Sequence, residues 1–128
     1  DDGHEITSAV HRRPLTMRVH FDANRAVEDP IFGFALFSSS GIHLTGTNTQ
    51  IDAVPTGTLL GKGSIDFRIP ELPLVPGEFE LSVSIADKHL QHFFERRERE
   101  WRLIVRNGGE LAPHGLMDLR GAWHIDAP

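Results

Sequence analysis

Apolar and polar positions alternate with a period of two through most of this chain. Leu15, Met17, Val19 and Phe21 alternate with Thr16, Arg18, His20 and Asp22, and Ile65, Phe67 and Ile69 with Ser64, Asp66 and Arg68. Phe79, Leu81, Val83 and Ile85 alternate with Glu80, Ser82, Ser84 and Ala86, and Trp101, Leu103 and Val105 with Arg102, Ile104 and Arg106. This is the mark of strands with one dry and one wet face. Turn signals separate the runs: Glu28-Asp29-Pro30, Ser39-Ser40-Gly41, Pro55-Thr56-Gly57, Val75-Pro76-Gly77 and Asn107-Gly108-Gly109. The pattern predicts about eight strands, at 5–11, 14–23, 31–38, 42–47, 63–70, 78–87, 89–94 and 99–106. Short strands between regular turns predict an all-β sandwich or barrel.

No segment predicts a long helix. The run Phe93 to Arg102 has a helix-like composition, but between strand patterns it reads as a charged hairpin tip. After Asn107 the pattern weakens. Gly115-Leu116-Met117 and Gly121-Ala122-Trp123-His124 predict one more short edge strand. Trp123, so near the end, predicts that the tail docks on its own core or on a second copy. At 128 residues without an internal repeat, the chain is expected to form a single domain over 1–128.

In an immunoglobulin-like antiparallel arrangement, one sheet holds the strands at 5–11, 14–23 and 63–70. The other holds those at 31–38, 42–47, 78–87 and 99–106. With Phe32, Phe34 and Leu36 inward, the second sheet presents Gly33, Ala35 and Phe37 outward. Beside them come His43, Thr45 and Thr47, then Glu80, Ser82 and Ser84, then Arg102 and Ile104. Gly33, Ala35, Ser82 and Ser84 predict a shallow floor, with Phe37, His43 and Arg102 as its walls. Glycine inside a strand, as at Gly33, often marks the close approach of something else. Asn48 and Thr49, in the polar coda Thr47-Asn48-Thr49-Gln50, are expected to bond nearby backbone and fix the exit from the hairpin.

Composition narrows the chemistry. With no cysteine, disulfides and thiolate metal sites are excluded, which fits a reducing compartment. Thirteen basic against 18 acidic residues give a formal charge of −5, unsuited to gripping a phosphate backbone. No apolar run approaches the roughly 18 residues of a membrane span. The start Asp1-Asp2-Gly3-His4 lacks an initiator methionine and a signal pattern, so the chain is expected to be a piece of a longer protein, or processed.

Enzyme signatures are missing. The sequence contains no GxSxG, Walker A, HExxH or GxGxxG pattern. His89 and His92, three apart, point to opposite faces of a strand and make a poor metal pair. Glu78, Glu80, Asp66 and Asp87 offer carboxylates, but nothing fixes two of them at a catalytic separation. Glu95-Arg96-Arg97-Glu98-Arg99-Glu100 mixes signs too evenly for a nucleic-acid patch. What remains is a rigid β surface rich in hydroxyl, amide, ring and guanidinium groups. Such a surface suits sugars, whose apolar faces stack on rings and whose hydroxyls need polar partners. With no tyrosine and two tryptophans, stacking falls to Phe37, Phe93, Trp123 or a histidine.

Several of these features together resemble the C-terminal domain of Wzt-type proteins, the nucleotide-binding subunits of ABC transporters that export O-antigen polysaccharide. They are Phe32-Gly33, Gly41, Gly46-Thr47-Asn48-Thr49, the run Leu72 to Phe79, Asp87 and Trp123. Two departures stand out: Phe79 replaces the commoner tyrosine, and the 88–100 segment is long and charged. The resemblance implies an immunoglobulin-like sandwich that binds the exported glycan without hydrolysing it, and needs no cofactor or metal. It implies a preceding ATPase domain, a transporter membrane subunit as partner, and a place at the inner face of the cytoplasmic membrane. It also implies a homodimer, with exchange of the C-terminal strand anchored by Trp123. The expected glycan-binding set is Phe37, His43, Thr45, Ser82, Ser84 and Arg102. The competing readings are a dimerisation or partner-binding domain and a small sugar-active enzyme.

Overall fold

The computed structural model describes residues 5–126. Seven strands follow in order: β1 Glu5–Val10, β2 Leu15–Glu28, β3 Ile31–Ser38, β4 His43–Asn48, β5 Thr58–Ile69, β6 Gly77–Ala86 and β7 Phe93–Arg106. They make a five-stranded sheet, β1-β7-β6-β3-β4, and a two-stranded ribbon, β2-β5. The all-β sandwich expected from the alternation is present, and the described residues contain no helix.

Three expectations need correction. First, β1 belongs to the five-stranded sheet, where it runs parallel to β7 with Glu5 beside Trp101 and Val10 beside Arg106. The chain changes sheets at the corner after Val10. There Arg12 takes a left-handed backbone (φ 68°), and the pairs Arg12 N to Leu72 O and Leu72 N to Arg13 O bind the corner to the β5–β6 connection. Second, the strands expected at 89–94 and 99–106 are one strand, β7. Residues 87–92 form its entry turn instead, because the Asp87 carboxylate accepts from Gln91 N and Asp87 N donates to His92 O. Those backbone donors, Gln91 first, also hold the Asp87 carboxyl below its ordinary range. Third, no strand forms at 121–124. The tail makes one bridge, Met117 to Leu74, and Trp123 stands fully exposed.

The two layers are packed unevenly along their length. At one end Leu72, Leu74 and Phe79 are almost wholly buried with Ala9, Leu36, Leu103 and Val105, and Leu15, Ile69 and Leu81 pack against them. At the other end the layers diverge. A cavity of about 1280 Å³ lies between them, lined by Val19, Phe21, Ile65 and Phe67 of the ribbon and Val83, Ile85 and Trp101 of the sheet. An isolated two-stranded ribbon has little stability of its own. This one is held by aromatic contacts: Phe34 to Phe67 at 4.7 Å and Phe21 to Phe32 at 5.6 Å between ring centroids. Gly63, opposite Phe21, leaves the space that ring fills, since a Cβ there would lie 2.6 Å from Phe21 Cζ.

A buried polar knot closes the packed end. His11 Nε2 and Asp118 Oδ2 are 2.8 Å apart, and Arg12 Nε donates to the same oxygen at 2.9 Å. His11 is wholly buried, and its Nδ1 finds no hydrogen-bond partner among the described residues. Asp118 N donates to Pro73 O, Val75 N to Leu116 O, and Arg120 Nη1 lies 2.9 Å from Glu71 Oε1, so the tail is tied down as far as Arg120. Leu119, Trp123 and Ile125 are nonetheless open to solvent.

Candidate functional site on the outer face of the large sheet

The outward face of the five-stranded sheet follows from its register. Gly33 lies between Asn48 and Ser84, Ala35 between Gly46 and Ser82, and Phe37 between His43 and Glu80. Side chains opposite one another across a ladder share a face, so these rows form one surface. Its floor is low because the residues are small. A Cβ on Gly33 would meet Asn48 Cβ at 3.1 Å and Ser84 Oγ at 3.2 Å. The resulting groove, about 380 Å³, is lined by Gly33, Ala35, Phe37, His43, Ser82 and Ser84, and Phe93 and Arg96 of β7 border it.

Rings stand at both ends. Phe37 and His43 are stacked, 4.9 Å between centroids and 29° between planes, and the Arg96 guanidinium lies 4.7 Å from the centre of the Phe93 ring. The order of pairs, Phe37 to Glu80 and then Ser84 to Arg96, sets these stations four residues apart along β6. At the rise of an extended chain that is about 13 Å, the span of a short oligosaccharide.

Arg99 completes the Phe37 end. Between the pairs Leu81–Trp101 and Val83–Arg97, β7 bulges, and Arg99 there has φ 55°. Bulges re-aim side chains. Here Arg99 N donates to Ser82 Oγ at 2.8 Å, while its Nε donates to Glu80 Oε1 at 2.6 Å. The guanidinium carbon sits 5.4 Å from the Phe37 ring centre. Gly41 makes room: a Cβ there would lie 3.3 Å from Arg99 Nη1.

Of the six residues expected from sequence, Phe37, His43, Ser82 and Ser84 come together on this face. Thr45 does not. The register shifts between Leu36 and Phe37, so His43 stands beside Phe37 while Thr45 stands opposite the inward-facing Leu36. Arg102 shares the outer face through its pairing with Glu80 but lies outside the groove, 3.6 Å from Glu78. The polar coda of β4 does build its own turn: Asn48 Oδ1 accepts from Ile51 N, and Thr49 Oγ1 accepts from Phe32 N. Among the described residues, no three His, Asp or Glu side chains gather as metal ligands. Among the described residues there is no helix long and apolar enough to cross a membrane.

A family model described as the Wzt C-terminal domain matches residues 1–119. The chain belongs to this family. It is also similar to a solved structure, "Crystal structure of the C-terminal domain of wzt". The two are 19% identical, with a TM-score of 0.70 over 93% of this chain and 74% of that one. At that identity the likeness is one of fold. No curated protein matches the sequence significantly. Membership of the Wzt C-terminal domain family sets the chain in the context of an O-antigen transporter.

Arg99, Glu80 and Arg96 are the Wzt-domain residues that the expected set lacked. Sequence reading placed Arg96 and Arg99 in a hairpin tip, where they have no defined neighbours. The available signal was Trp101 to Val105: extending that alternation backwards puts Arg97, Arg99 and Trp101 on one face. The bulge then breaks the rule, so spacing alone does not place Arg99 on the outer face.

Proposed function

We propose that this domain binds an O-antigen polysaccharide without cleaving it, and so confers substrate recognition on the ABC transporter that exports the polymer. In this reading it works at the cytoplasmic side of the membrane, as part of a subunit that also carries an ATPase. The observation that carries the reading is the outer-face groove: a small-residue floor between two aromatic stations, with hydroxyls at Ser82 and Ser84. Phe37 and Phe93 would stack on sugar faces. His43, Ser82, Ser84 and Asn48 would meet the hydroxyl rim.

Calorimetric titration of the domain with long-chain surface polysaccharide from its source tests this. Saturable binding is expected, with no release of reducing ends. His43→Ala combined with Arg99→Ala should remove the binding and leave the melting temperature within a few degrees. Absence of any saturable signal overturns the reading, and release of reducing ends would replace it with an enzyme.

A pairing role joins the first through one observation: Leu119, Trp123 and Ile125 are 91%, 100% and 85% exposed on the segment that follows Asp118. They recur at even spacing, as one face of a strand would. The ribbon of the same molecule has unpaired edges and an open apolar interior. In this proposal the tails of two copies exchange, and Trp123 of each enters the open end of its partner. Removal of residues 119–128 should then convert a dimer to a monomer in sedimentation equilibrium. A tail-less chain that stays dimeric would refute the exchange.

A further inference from the structure

We infer that the groove selects an uncharged glycan segment, and that its arginines act as hydrogen-bonding walls rather than as anion receptors. This rests on the glycan-binding reading above. The argument starts from charge. Each arginine in or beside the groove has its own carboxylate: Arg96 Nε lies 3.3 Å from Glu98 Oε1, Arg99 Nε 2.6 Å from Glu80 Oε1, and Arg102 Nε 3.6 Å from Glu78 Oε1. Arg97, which reaches the groove from the inward row, lies 2.5 Å from Glu95 Oε1.

A uronate or phosphate entering this groove would meet a carboxylate wherever it met a guanidinium. An anion held by the remaining N–H groups of Arg99 would lie against the Glu80 carboxylate, and displacing Glu80 would leave that charge unpaired beside the Phe37 ring. Like charges placed across an interface reject a partner as effectively as contacts attract one. A neutral sugar incurs no such cost. A guanidinium has five N–H donors, and a single carboxylate leaves several of them free for hydroxyl oxygens. The Phe37–His43 stack and the Arg96–Phe93 pair then bind ring faces, which carry no net charge. Glu80 thus has two effects: it holds Arg99 against Phe37, and it cancels the charge Arg99 would otherwise show to the ligand.

The test uses long-chain polysaccharide from the source strain, separated by anion exchange into an uncharged fraction and a uronate- or phosphate-bearing one. Each is titrated into the domain at 50 and 500 mM NaCl. The uncharged fraction should bind, with affinity changing roughly twofold or less between the two salts. Glu80→Gln, which frees the Arg99 charge, should weaken binding of the uncharged fraction and give the acidic fraction a new affinity that salt abolishes. Binding of the acidic fraction alone, falling with salt, overturns this inference but keeps the glycan-binding reading. Binding of neither fraction removes both. If Glu80→Gln leaves both titrations unchanged while its melting temperature holds, the charge-cancelling role is refuted.

Discussion

The two ends of the sandwich are made of similar residues and packed very differently. Near the chain corner at His11, Leu72, Leu74 and Phe79 are 0%, 2% and 1% exposed. Toward the start of β7, Phe67 is 38% exposed, and the layers stand apart around a cavity. Composition does not separate the ends, since both alternate Leu, Ile, Val and Phe with polar residues. The connections do. At the packed end three connections converge: the β1–β2 corner, the β5–β6 connection and the tail through Asp118, all joined by backbone hydrogen bonds. At the open end β2–β3 and β4–β5 also cross between the layers, joined by Gly57 N to Asp29 Oδ1 and Thr56 Oγ1 to Pro30 O, but their apolar residues stay in water: Ile51 is 69% and Val54 50% exposed. Strands bring apolar faces near one another. Crossing segments close the space between them only where they also turn apolar side chains inward, as the β5–β6 connection does with Leu72 and Leu74.

The largest effect is expected at the packed end. Phe79→Ala removes a fully buried ring from the centre of the cluster and should cost about 3–5 kcal/mol, read from the denaturant midpoint at constant slope. A loss below about 1 kcal/mol would mean that the cluster reorganises and that the contrast between ends is overstated.

How much of this was legible follows the same division. Alternation at Leu15–Phe21, Ile65–Ile69 and Phe79–Ile85 places β2, β5 and β6 correctly, because a period of two is local. The partner of β1 is not local. Glu5 to Val10 reads equally well beside β2 or beside β7, and the left-handed turn at Arg12 that decides between them leaves no periodic trace. The site divides likewise. Phe37, Ser82 and Ser84 follow from alternation within unbroken strands, whereas Thr45 and Arg99 lie at or beside register shifts, where one extra residue reverses the face. The knot at His11 and Asp118 joins residues 107 apart in sequence, which no window detects.

That knot supplies a smaller way to break the packed end. Asp118→Asn should lower the midpoint at pH 7, by less than Phe79→Ala, because His11 and Arg12 lose the carboxylate they share. It should also change the acid limb. The hydrogen bond from Arg12, foremost, holds the Asp118 carboxyl down at about 2, against an ordinary 3.8. A carboxyl depressed in the folded state binds fewer protons than in the unfolded chain. Its stabilisation is therefore complete above about pH 4 and is lost as the pH falls toward 2. Glu28, Asp66 and Asp87 are lowered as well, each by its own partners, so the variant should flatten the acid limb without abolishing it. An acid limb identical to that of the parent chain would show that Asp118 is not held by Arg12 in solution.

The smallest expected effect lies at the open end and sharpens the contrast most. Phe67→Ala deletes a ring that is partly in water and has one aromatic neighbour, Phe34. In a dilute, unpaired chain it should cost about 1 kcal/mol, since little transfer energy is lost and little new void is made where a void already exists. Raising the protein concentration discriminates further. If the partner's tail seats Trp123 in this space, Phe67 becomes part of an interface, and the penalty should grow with concentration as the dimer populates. Phe79→Ala, remote from the cavity, should cost the same at every concentration. A Phe67→Ala penalty as large as that of Phe79→Ala in the dilute chain would mean that the ribbon closes onto the sheet without a partner. The exposed tail would then need a different receiver.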